Sequence, residues 1–186
     1  MRNALGGLIG ALIGAVTIVL LIGLVDPVYS FPYSTIWFIF SGSSALISTI
    51  DGILNPINIL GYLITWVIVG VIIALFSKKG WNTLRTAIWL GLVLGILSLA
   101  STMLLDATFW TSPTRNIELV YHFVTAFVVS LCALPSAIIT TSVIDRLLKQ
   151  AEEPIPEKIE TVCECGAIFR SNPLICSECG KQLRDD

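Results

Sequence analysis

The sequence predicts an all-α transmembrane helical bundle with a small metal-built module at its C-terminal end. Three observations lead there. Of 186 residues, 55% are hydrophobic and only 13% charged, too apolar a balance for an ordinary soluble domain. Several apolar stretches reach the roughly 20 residues needed to cross the hydrocarbon of a bilayer. Four of the five cysteines fall within the last 24 residues, in two close pairs.

Residues 4–25, 57–76 and 86–105 are three such stretches, and 117–144 is a longer fourth. The first follows Arg2 as a secretory signal would, but it is too long for one and no small-residue cleavage site follows. It reads as a retained span. Pro135 removes a helical hydrogen bond inside the fourth span and should bend it. The turn from Asp145 to Lys149 reads as an amphipathic helix end emerging into water. Residues 34–50 are apolar but short, and Ser41-Gly42-Ser43-Ser44 interrupts them. They suit either an interfacial or re-entrant helix, which leaves four spans, or a fifth span. A re-entrant segment would need protein or water around its broken backbone.

Orientation follows from the basic residues. Lys78, Lys79 and Arg85 flank the link between the second and third spans, Arg146 and Lys149 follow the fourth, and Arg2 precedes the first. The connection 26–56 has no Lys or Arg, and the link 106–116 has only Arg115. Cytoplasmic loops carry the excess of basic side chains, so both the N- and C-termini are expected in the cytoplasm. Tyr29, Tyr33, Trp37, Trp110 and Tyr121 would then mark the outer interface, and Trp81 the inner one.

Gly6, Gly10 and Gly14 recur every fourth residue, with Gly7, Ala11 and Ala15 beside them. On a helix this is a smooth strip against which another helix packs closely. Gly91 and Gly95 repeat the pattern in the third span. The partner helix could belong to this chain or to another protein.

Three regions result: a transmembrane domain (1–149), a Pro/Glu-rich linker (150–160) and the cysteine module (161–186). Pro154, Pro156 and the surrounding carboxylates disfavour helix in the linker and keep it extended. From residue 150 onward the chain has four basic and eight acidic side chains, net −4. Nucleic acid and anionic lipid heads attract the opposite charge, so neither is an expected partner of this tail.

The cysteines stand as Cys163-Glu164-Cys165-Gly166 and Cys176-Ser177-Glu178-Cys179-Gly180. Four thiolates in two close pairs suit a tetrahedral Zn²⁺, and each glycine lets the backbone turn tightly beneath the sulfurs. So short a segment has too little apolar area to fold unaided, and the metal would supply the folding free energy. An oxidising compartment would favour two disulfides instead, and a redox dithiol is a third possibility. The second pair is a C-x-x-C knuckle, while the first is one residue shorter.

On these residues the module, 161–183, resembles the zinc-ribbon (rubredoxin-knuckle) family. The resemblance implies a small β fold of two knuckles on short hairpins, with a structural Zn²⁺ on Cys163, Cys165, Cys176 and Cys179. It also implies a role in protein or nucleic-acid contacts. A polytopic chain with such a tail is similar to small membrane proteins of prokaryotes, archaea in particular.

Other chemistry is sparse. Glu118 and His122 lie one helical turn apart, and Asp106 ends the third span nearby; together they could form a proton or metal site. Acidic residues at a helix start are equally explained by the helix dipole. Cys132 lies among apolar residues and is expected to act as a small hydrophobe. No span has a charge in its central turns, which argues against a pump or coupled transporter. The expected function is non-enzymatic: a membrane protein whose zinc ribbon and glycine face meet a protein partner, as an accessory subunit of a complex. The alternative is a passive channel or transporter using Ser41–Ser44 and Asn55-Pro56-Ile57-Asn58, with the ribbon as a regulatory tail.

Overall fold

The computed structural model describes residues 1–78, 80–151, 161–170 and 173–183. The chain divides into two compact units, Met1–Leu147 and Leu148–Asp186. Within the linker, residues 152–160 lie outside the described residues.

The first unit is helical. Four of its helices are long and apolar enough to cross a membrane: Arg2–Ile22, Ile59–Phe76, Trp81–Leu105 and the continuous run Arg115–Leu148. We label its α-helices α1 (Arg2–Ile22), α2 (Trp37–Ile47), α3 (Thr49–Leu54), α4 (Ile59–Phe76), α5 (Trp81–Leu105), α6 (Arg115–Ser130) and α7 (Leu134–Ala151). The first span stops three residues before the expected Val25. Gly23 adopts a left-handed φ of 66°, and the amides of Gly23 and Leu24 both bond the Val19 carbonyl, which closes the helix end. The third span starts earlier than expected and takes in Trp81 to Arg85. Pro135 acts as its chemistry requires. It lacks the amide that would bond the preceding turn, and a 3-10 turn at Leu131–Ala133 separates α6 from α7.

The glycine strip is spent inside the chain. A Cβ built on Gly6, Gly10 or Gly14 would fall 2.6–2.8 Å from Phe76, Ile73 or Val69 of α4. One on Gly7 would fall 2.7 Å from the Leu90 amide nitrogen of α5. Gly91 and Gly95 do the same work between α5 and α6, against Phe127 and Phe123. The bundle core that these contacts enclose includes Leu46, Trp66, Val69, Leu90, Leu94 and Val129. Outside it, Leu20, Leu60, Val120 and Ile139 are exposed, an apolar exterior that suits lipid and not water.

The contacts also order the helix ends. Gly6 meets Phe76 and Gly61 meets Ile22, so α1 and α4 run in opposite directions. The chain therefore leaves α1 and enters α4 at the same end of the bundle, and whatever lies between must return to where it began. α2 descends from that end beside α5, with Ser41 and Ser101 both on the Tyr29 hydroxyl and Ser44 opposite Ser98. It breaks at Ser48. α3 then climbs back, and Gly52 packs on the Tyr62 ring near the start of α4. Residues 34–50 thus take in one arm and the turn of a helix hairpin, as a re-entrant segment would, and four helices long and apolar enough to cross a membrane remain. The hairpin's deepest point is tied down where the Trp66 indole N–H donates to the Thr49 hydroxyl at 3.0 Å. Tyr29 is buried, with its hydroxyl 2.7 Å from Ser101, and so braces the bundle instead of marking its surface.

The second unit is small: β1 (Thr161–Val162) and β2 (Ile168–Phe169) pair antiparallel, with Thr161 opposite Phe169 and Val162 opposite Ile168. A bridge between Ile175 and Gln182 closes its other half.

Candidate metal centre

Each cysteine pair sits on a tight turn that the following glycine permits. Gly166 and Gly180 have φ of 91° and 69°, a region that costs a side chain strain and glycine nothing. In the first turn the Cys163 amide donates to the Ala167 carbonyl and the Gly166 amide to the Cys163 carbonyl, both at 2.9 Å. In the second, the Cys176 amide donates to Lys181 at 2.8 Å and the Gly180 amide to Cys176 at 2.9 Å. The missing residue of the first pair is absorbed by a shorter hydrogen-bonded loop, four residues instead of five, and the two turns still face one another.

All four sulfurs, of Cys163, Cys165, Cys176 and Cys179, lie within 4.8 Å of one another, at a spacing able to hold a metal ion. Cys163 and Cys179 approach to 3.4 Å, and Cys165 and Cys176 to 3.6 Å. Both gaps far exceed the roughly 2.05 Å of a disulfide bond, and the cysteines are free thiols. Across the turns, the Lys181 ammonium donates to the Glu164 carboxylate, which lowers the carboxyl's pKa and raises the ammonium's.

The sulfurs do not ionise alike. Burial opposes a charge on Cys176, yet the amides of Cys179 and Glu178 hold its thiol down to about 7. The Ala167 amide favours a thiolate at Cys165, but hydrogen bonds with Cys163 and Cys179 outweigh it and push the thiol up to about 12. Four thiolates this close repel one another, and a divalent cation among them is what would stabilise all four charges together.

The other candidate residues are not brought into a site of this kind. Asp106 caps the end of α5, accepting from the Thr108 hydroxyl and amide at 2.6 and 2.8 Å, contacts that lower its pKa. Glu118 accepts from the Thr114 hydroxyl at 2.5 Å at the start of α6. His122 instead turns inward, with Nδ1 3.3 Å from the Ser98 hydroxyl and Nε2 3.4 Å from that of Thr102. Among the described residues the four cysteines are the one group of three or more His, Cys, Asp or Glu side chains close enough together to hold a metal ion. Cys132 is exposed on the helical unit.

Sequence reasoning missed Asp51, Ser48 and Ser98, which share a cavity wall with His122 inside the helical unit. A signal was present: Ser41, Ser44 and Ser48, and Ser98 and Ser101, recur at helical spacing in otherwise apolar helices. No protein-family model matches the chain, no curated protein matches it, and no solved structure matches it.

Proposed function

We propose that this chain is a non-enzymatic integral membrane protein whose zinc ribbon docks a protein partner in the cytoplasm, as an accessory subunit of a membrane complex. One observation carries the reading. The metal module wears its apolar side chains on the outside: Val162 and Ile168 are 63% and 65% exposed and directly paired across the hairpin. Leu174 and Ile175 are exposed as well. A module held by a metal needs no apolar core, so such side chains are free to meet a partner. Around them the tail is acidic, and a partner with a basic rim would complement it.

The metal is Zn²⁺. Its sulfur bonds of about 2.3 Å in a tetrahedron set sulfurs about 3.8 Å apart, close to the spacing of these four. Four cysteine ligands leave no open position for substrate or water, and so support a structural metal over a catalytic one. Zn²⁺ would hold the two turns together, while the chain's own amides at Ala167, Glu178 and Cys179 steady the charged sulfurs.

The cytoplasmic orientation rests on charge. Arg2, Lys78 and Arg85 line one cleft of about 800 Å³ at the end of the bundle opposite Leu105. Three basic residues from different parts of the chain therefore mark one membrane face, as cytoplasmic faces are marked.

The test is affinity purification of the full chain from native membranes in mild detergent, followed by mass spectrometry and metal analysis. A defined set of proteins should accompany the wild type and be lost from Val162→Glu with Ile168→Glu, with zinc retained. The same set recovered with the double variant would defeat the docking role.

A further inference from the structure

The re-entrant pair brings more polar atoms into the bundle than its fold requires. Between α2, α3, α5 and α6 lies a cavity of about 290 Å³ whose wall includes Ser44, Ser48, Asp51, Ser98, Thr102 and His122. Ser98 lies seven residues before the end of α5, and His122 seven after the start of α6. At 1.5 Å per residue both sit about 10 Å below the Leu105 end of the bundle. An ionisable side chain such as that of His122 is costly at such depth in a membrane protein and marks function.

The chemistry of the wall is one-sided. Its hydroxyls are oxygen ligands, Ser44 and Ser98 only loosely joined at 3.3 Å. His122 reaches the Ser98 and Thr102 hydroxyls from the other side at 3.3 and 3.4 Å. Asp51, itself an exposed residue, contributes the one carboxylate, and no Lys or Arg lines the cavity. Among the described residues nothing forms a hydrogen bond or ion pair with that carboxylate. A second cavity, of about 530 Å³, shares Ser44, Ser48 and Thr102 in its wall and extends to Asp106 at the bundle's end. Ser44, Ser48 and Thr102 therefore stand in the walls of both cavities.

We propose that this cavity binds a small monovalent cation, with the Asp51 carboxylate as its charge partner and the serine and threonine hydroxyls as neutral ligands. Oxygen donors select hard cations over the softer metals that thiolates hold. One carboxylate balances one positive charge, whereas a divalent ion would need a second carboxylate that the wall does not supply. At roughly 30 Å³ per water molecule, the cavity also admits an ion that keeps part of its hydration shell.

The test uses the purified, zinc-saturated full chain in detergent, melted in sodium, potassium or ammonium chloride against N-methylglucamine chloride at equal ionic strength. Ligand that binds only the folded state raises the melting temperature saturably. At least one of the three cations should do so for the wild type and for Asp51→Glu, and the rise should vanish in Asp51→Asn. The double variant Ser44→Ala with Ser98→Ala should need about tenfold more cation for half of the rise. No cation-specific rise in the wild type would overturn the proposal, as would one that persists unchanged in Asp51→Asn. If Asp51→Asn does not yield folded protein, the serine double variant decides, and an unchanged half-saturation there overturns the assignment.

Discussion

Gly42 of α2 lies against Ala15 of α1 so closely that a Cβ on Gly42 would stand 2.2 Å from the Ala15 carbonyl oxygen. The re-entrant helix is thus seated on the backbone of the first span, where nothing flexible can move aside.

That seat ranks the glycines. A Cβ on Gly10 would meet the Ile73 side chain at 2.8 Å, and a side chain can rotate away. Gly42→Ala should therefore lower stability more than Gly10→Ala, by about 1–3 kcal/mol as overpacking typically costs. Leu20→Ile, on the exposed exterior, should stay within about 0.5 kcal/mol of wild type. Melting in detergent gives the order, and a Gly10→Ala cost above that of Gly42→Ala would contradict the packing.

Thr49→Val keeps the shape of the side chain and removes the acceptor for the buried Trp66 indole. A buried donor left unpaired costs about 1–3 kcal/mol, so the variant should melt lower. The same change at exposed Thr114 should cost less. Equal melting of Thr49→Val and wild type would mean that the indole anchor contributes nothing.

The purified protein should contain one zinc ion per chain by elemental analysis. Cys176→Ser with Cys179→Ser removes two of the four sulfur ligands and should release it, with loss of protease resistance confined to the tail. Full zinc content in that variant would dismiss these cysteines as the ligands.

Membrane orientation can be read with single cysteines at Ser77, Ser112 and Ser30, in a background whose native cysteines are replaced. An impermeant thiol reagent applied to intact cells should label positions 112 and 30 and spare 77. Labelling at 77 alone would invert the orientation. Protection at 30 together with labelling at 112 would make residues 34–50 a full span and not a re-entrant pair.

Much of this architecture was legible in residue order. The four spans follow from hydropathy, because a helix in lipid must be apolar over its whole length wherever its neighbours lie. Gly6, Gly10 and Gly14 announced a close contact by their spacing but not its partner, since a smooth strip is indifferent to what packs on it. The cysteines were readable for a different reason: ligand type and two close pairs already constrain a tetrahedral site, and Gly166 and Gly180 mark the turns. The shorter first pair was no obstacle, because one residue fewer in its hydrogen-bonded loop restored the geometry.

What the sequence alone determined was therefore local or compositional: which segments are apolar enough to span, where Pro135 interrupts one, and which sulfurs are grouped. Only the tertiary structure decided that residues 34–50 turn back at Ser48, because an apolar run of that length suits a span or a hairpin equally. Its direction is settled by distant contacts with Ala15, Tyr62, Trp66 and Ser98. Likewise, nothing near Asp51 in the sequence points to His122, 71 positions later. They share a cavity because α5 and α6 pack antiparallel through Gly91 and Gly95, which brings the start of α6 beside the end of α5. Such neighbours are products of helix packing, a sum of contacts far apart in the chain that no local pattern of residues encodes.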